Sequence, residues 1–127
     1  MKVQRYCIYN LEFSYTRITE IRNEIEFKGV LSYHTLDLEL LKKATKGNLE
    51  LNEVNTFLFF QVQRHIDLIL SGVDENEIVM QRPIIINRLN VILRKELQEI
   101  GLEFVDFKRV SLWVYGAADR GVSFSSR

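Results

Sequence analysis

The chain has 127 residues and a mass of 15.0 kDa, enough for one domain that buries about two-thirds of its extended surface without disulfides or metal. Seventeen basic and seventeen acidic residues cancel, which argues against nucleic acid as a partner, because phosphate binding draws on an excess of positive charge. Hydrophobic residues at 46% and charged residues at 27% exclude a disordered chain, and the single cysteine, Cys7, excludes an intramolecular disulfide.

Three runs at the start read as strands: Val3–Tyr9, Glu12–Ile21 and Glu24–Thr35. They are rich in Tyr, Phe, Ile, Val and Thr, with turn-compatible Asn10 and Asn23 between them. In the third run Ile25, Phe27, Leu31 and Tyr33 alternate with Glu26, Lys28, Ser32 and His34, the period of a strand with one wet face. Three helices follow over Asp37–Lys46, Asn52–Ser71 and Pro83–Ile100, with Asp74–Gln81 as a short helical lead-in to the last. Gly47, Gly72 and Gly101 stand where left-handed caps would end them. Thr35 or Asp37 can cap the head of the first helix and Asn52 the second, while Pro83 suits the first turn of the third. Leu102–Tyr115 is again strand-like, and Asp106 and Lys108 break its apolar phase, so a bulge is expected there. The order β-β-β-α-α-α-β predicts an α+β fold, an antiparallel or mixed sheet with helices on one face. Residues 1–115 form the domain, and the small, polar stretch 116–127 is expected to be a flexible tail or the start of a linker.

The start Met-Lys-Val-Gln-Arg-Tyr lacks the apolar stretch of a signal peptide. Phe57–Leu70 and Ile84–Leu93 are interrupted by polar residues, short of the roughly 20 apolar residues of a spanning helix. A soluble, cytoplasmic domain is the expectation. Cys7 is expected to be buried as a small apolar side chain.

Chemistry is sparse. Cys7, His34 and His65 show no metal-ligand spacing, His65 and Asp67 face different directions on a helix, and neither a GxGxxG nor a GxxxxGK[ST] phosphate cradle occurs. His65 and His34 read as ordinary polar-face residues. Neither a catalytic residue nor a cofactor or metal site is assigned, and the chain is expected not to be an enzyme. Two features point instead to contact surfaces. The second helix carries apolar residues around much of its circumference, with Phe57 and Phe60 expected on the sheet and Phe59 on the third helix or on an outer apolar face. Trp113 and Tyr115 lie near the end of the last strand, where exposed aromatics would suit subunit contact, or a place in the core. Phe59, Trp113 and Tyr115 are the interface candidates.

Two stretches resemble the SPFH (Band 7) domain shared by stomatins, prohibitins and flotillins. In Ile25–Leu41, IEFKGVLSYHTLDLELL, residues Gly29, Ser32, Tyr33, Asp37, Glu39 and Leu40 fall in step with the family's strand that ends in Asp and runs into a short helix. In Leu89–Leu112, residues Leu97, Gly101, Leu102, Asp106, Phe107 and Leu112 match the helix–Gly–strand that closes the domain. Leu38 departs from the pattern, standing where the family usually has proline. The likeness is closest to the soluble, virion-core-protein-like bacterial branch, without the membrane hairpin and long coiled coil of larger members. The resemblance implies a non-enzymatic scaffold that self-associates, or assembles with other proteins, commonly near membranes. The alternative is a monomeric module that recognises a peptide or a lipid headgroup through its sheet face or edge.

Overall fold

The computed structural model describes residues 1–116. Its elements are β1 (Ile8–Ile18), β2 (Glu24–Thr35), α1 (Leu38–Ala44), α2 (Leu51–Leu70), a single 3-10 turn (Glu75–Glu77), α3 (Arg82–Glu99) and β3 (Leu102–Tyr115). The fold is α+β, with a three-stranded antiparallel sheet in the order β1-β2-β3. The stretch expected to be a tail lies, beyond Gly116, outside the described residues.

One strand replaces the two expected before β2. Tyr9, Leu11, Phe13 and Tyr15 are buried in unbroken alternation, so burial on one face carries the strand straight through Asn10. That residue pairs with Ser32 across β2, and its Oδ1 accepts from the Ser32 hydroxyl at 2.9 Å. The true break is at Tyr6, which has a left-handed φ of 67°. Val3 still reaches the core, but Lys2 and Arg5 make only isolated bridges, and Cys7 is exposed rather than buried.

The helices lie over one face of the sheet, α2 along β1 and α3 along β3. Val54, Leu58, Val62, Ile66 and Ile69 give α2 its buried stripe, and Ile85, Leu89, Leu93 and Leu97 give α3 the same at i, i+4 spacing. These meet Ile25, Phe27, Leu31 and Tyr33 on β2 and Leu102, Phe104 and Leu112 on β3.

Local signals set most helix ends. Asp37 caps α1, its Oδ1 accepting from the amides of Glu39 and Leu40 at 3.0 and 3.2 Å. Pro83 stands in the first turn of α3. Two expectations fail: α2 begins at Leu51 behind Glu50 with no side-chain cap, and Gly72 is not left-handed, because Ser71 closes the helix in helical geometry. Gly47 and Gly101 do adopt positive φ, at 88° and 85°. Gly101 is also tightly packed. Its carbonyl accepts from the amides of Leu36 and Asp37, at 2.9 and 3.0 Å, and a Cβ there would meet the Asp37 carbonyl at 2.2 Å. Two register shifts between β2 and β3 leave Val105 and Lys108 as extra residues on β3, beside the positions where a bulge was expected.

Candidate functional site

Hydrogen-bond direction separates the two edges of the sheet. In an antiparallel ladder alternate residues turn their main-chain groups toward one neighbour and then away from it. On β3 three carbonyls near the ends of the strand are capped from α3. Arg82 Nε donates to the Leu112 carbonyl at 2.8 Å, and Arg94 reaches the carbonyls of Phe104 and Val105 at 3.4 Å. A guanidinium carries several fixed donors, so one side chain can cover an edge that would otherwise pair with another strand.

Trp113 and Tyr115 belong to this capped edge. Trp113 is 36% exposed and lies under the Arg82 guanidinium, 3.8 Å from the ring centroid, which makes it a cation–π platform as well as a surface aromatic. Tyr115 is buried, at 5% exposure.

The β1 edge is different. Gln63 on α2 donates to the outward carbonyl of Ser14, which places the main-chain groups of the even-numbered residues of β1 away from β2. Among the described residues, that carbonyl is the one outward group between Asn10 and Thr16 given a partner. Side chains tie α2 to the sheet at its flanks. Tyr33 donates to Asn55 Oδ1 and Tyr15 to Asp67 Oδ1, each at 2.6 Å, with Arg17 at 3.5 Å from the same carboxylate oxygen. Burial and the Asp67 contact push the Tyr15 hydroxyl up to about 12.

Phe59 belongs to this second edge, on the same i, i+4 row as Asn55, Gln63 and Asp67. It is half-buried against the core and meets Phe60 edge-on, with ring centroids 5.8 Å apart. Phe60 is 64% exposed rather than on the sheet, and Phe57 faces α3. The expected roles of the three phenylalanines are therefore redistributed, because the buried stripe of α2 runs through Leu58 and Val62 instead. The structure thus separates Phe59 from Trp113 and Tyr115, placing them at opposite edges. Ile8 and Ile18, at the two ends of β1, are 62% and 56% exposed and were not singled out by the sequence. Both stand on the polar phase of the strand, a signal that appears only once the strand is read as one continuous element.

An open groove of about 580 Å³ crosses the middle of the sheet. Glu12, Phe13 and Ser14 line it from β1, Lys28, Gly29 and Val30 from β2, Arg109, Val110 and Ser111 from β3, and Phe59 from α2. Lys28 is paired with Glu26 at 3.3 Å. Gly29 permits the close approach of β2 to β3, since a Cβ there would meet the Arg109 carbonyl at 2.2 Å.

The histidines depart from the sequence reading. His65 is buried between α2 and α3, its Nε2 without a partner, beside a cavity of about 110 Å³ lined by Gln61 and Glu96 among apolar side chains. Burial first, and then Arg64, holds its pKa below the ordinary 6.5, against a smaller opposing effect of Glu96. His34 is half-buried and sits 2.5 Å from Glu103 Oε1. Among the described residues no three His, Cys, Asp or Glu side chains are placed to hold a metal ion, and no helix is long and apolar enough to cross a membrane. No family model matches the chain, and no curated protein is significantly similar to it.

Proposed function

We propose that the chain is a non-catalytic assembly module that associates with copies of itself and through them organises other proteins. The observation that carries this reading is the unequal treatment of the two sheet edges. Arginines from α3 cap three carbonyls of β3, while among the described residues the outward groups of β1 between Asn10 and Thr16 have one partner, Gln63 on the Ser14 carbonyl, beside the exposed Phe60. The SPFH-like character of Ile25–Leu41 and Leu89–Leu112, and a cytoplasmic location, belong to the same reading. Light scattering on a size-exclusion column, across about two decades of concentration, tests it. A species heavier than the 15.0 kDa chain supports assembly, and a strict monomer overturns it.

The groove favours a second reading, a monomeric module that holds an extended peptide across the strands. Phe13, Val110 and Phe59, which share the helix-facing side of this groove, would meet apolar groups of such a ligand. A monomer that retains a peptide from a random-sequence library would establish it in place of assembly.

A further inference from the structure

We infer that the outer edge of β1 pairs antiparallel with β1 of a second copy, in the register that places Ile8 opposite Ile18. The inference rests on the assembly reading above and names the route by which it occurs.

A strand that joins β1 must meet the outward groups of Asn10, Glu12, Ser14 and Thr16. A second β1 presents the same groups, so a two-fold axis lets each copy act as donor and acceptor at once. The side chains select the register. Centring the pair on Glu12 sets two carboxylates directly opposite, which is unfavourable. Centring it on Phe13, the midpoint of the strand, overlaps β1 over its whole length. Glu12 then stands opposite Ser14, Asn10 opposite Thr16, and Ile8 opposite Ile18 at both ends of the seam.

That last pair accounts for two otherwise unexplained exposures. Ile8 and Ile18 are 62% and 56% exposed on the polar face of the strand, yet each becomes the other's cross-strand partner when the edges join. The two-fold axis keeps both helix layers on one side of the joined sheet. Because α2 overlies β1, Phe59 and Phe60 of the two copies approach each other along the seam. Gln63 fits the same scheme. Its amide holds the Ser14 carbonyl in the single chain, in place of the absent strand, and yields it when the second copy's Glu12 amide arrives.

The test uses the two exposed isoleucines, whose replacement does not touch the core. Wild-type protein is expected to run as a species of twice 15.0 kDa at high concentration and to dissociate on dilution. Ile8→Lys/Ile18→Lys sets like charges opposite one another at both ends and should weaken the dimer at least tenfold. Ile8→Lys/Ile18→Glu sets opposite charges there and should restore it. Restoration in the second variant, with loss in the first, supports this register. Association undiminished in the Lys/Lys variant overturns the β1 route and leaves self-assembly standing through another surface. A wild-type protein that remains monomeric overturns both.

Discussion

Gly101 and Gly47 share a backbone conformation and differ in what surrounds them, so alanine at each separates two effects. Their φ values are 85° and 88°. A Cβ in the left-handed region costs about 1–2 kcal/mol. At Gly47 nothing lies within 4 Å of that Cβ, so the conformational cost is the whole effect. At Gly101 the Cβ would also sit 2.2 Å from the Asp37 carbonyl and 3.0 Å from Leu40 Cβ. To relieve that overlap, the turn before β3 must move away from the corner between β2 and α1. The hydrogen bonds from Leu36 and Asp37 to the Gly101 carbonyl span that same gap. Losing both adds about 2 kcal/mol, for a total of about 3–4 kcal/mol. A domain of this size is stable by only about 5–15 kcal/mol. In urea, with a slope of about 2 kcal/mol per molar, Gly47→Ala should lower the midpoint by about 0.5–1 M and Gly101→Ala by about 1.5–2 M. Midpoints for the two variants that agree within about 0.3 M would refute the claim that the Gly101 corner is sterically closed.

The remaining predictions concern the edge cap, a buried hydroxyl and a buried imidazole. Arg82→Ala removes the ring stack on Trp113 and the donor to Leu112, and should cost about 1–3 kcal/mol; with a single tryptophan in the chain, a red shift in fluorescence emission reports the exposure directly. Tyr33→Phe leaves Asn55 Oδ1 without its donor beside a fully buried ring, and should lower stability by about 1–2 kcal/mol with the circular-dichroism spectrum unchanged. His65 resists protonation in the fold, so below its ordinary value of 6.5 the unfolded chain binds a proton that the folded chain does not. Its contribution is complete above that value and is lost as the pH falls through it toward the folded pKa. The difference in urea midpoint between wild type and His65→Gln should therefore shrink or reverse from pH 7.5 to pH 5, and a difference constant with pH would count against the burial argument.

Features fixed by near neighbours in the chain were legible in the sequence. Asp37 caps the two amides just ahead of it, Pro83 fits the first turn of α3, and Gly101 adopts the positive φ expected after a helix. What escaped depends on partners far along the chain. Asn10 looked like a turn residue because its strand partner, Ser32, lies 22 residues away. His65 sits next to Arg64 on a helix of mixed polarity, and only the packing of α3 against it decides that it is buried. The capping of β3 by Arg82 and Arg94 likewise requires α3 to lie along that strand, so Trp113 could not be distinguished in advance from an open surface aromatic.

The paired bulges of β3 have an arithmetic consequence for insertions and deletions. Each extra residue shifts the odd/even phase of the residues beyond it while they stay in register with β2, and a second shift restores the first phase. Leu102 and Phe104 face the helices before Val105, Phe107 does so between the bulges, and Val110, Leu112 and Val114 resume the original even phase after Lys108. Removing Val105 or Lys108 alone leaves every other residue of β3 opposite the β2 partner it already has, so Phe104 and Leu112 keep their facing and only the local kink is lost. Removing both together preserves every facing and straightens the ladder against β2. A single-residue deletion is therefore absorbed at either bulge, where elsewhere in a regular ladder it would shift the register by one and turn side chains to the other face.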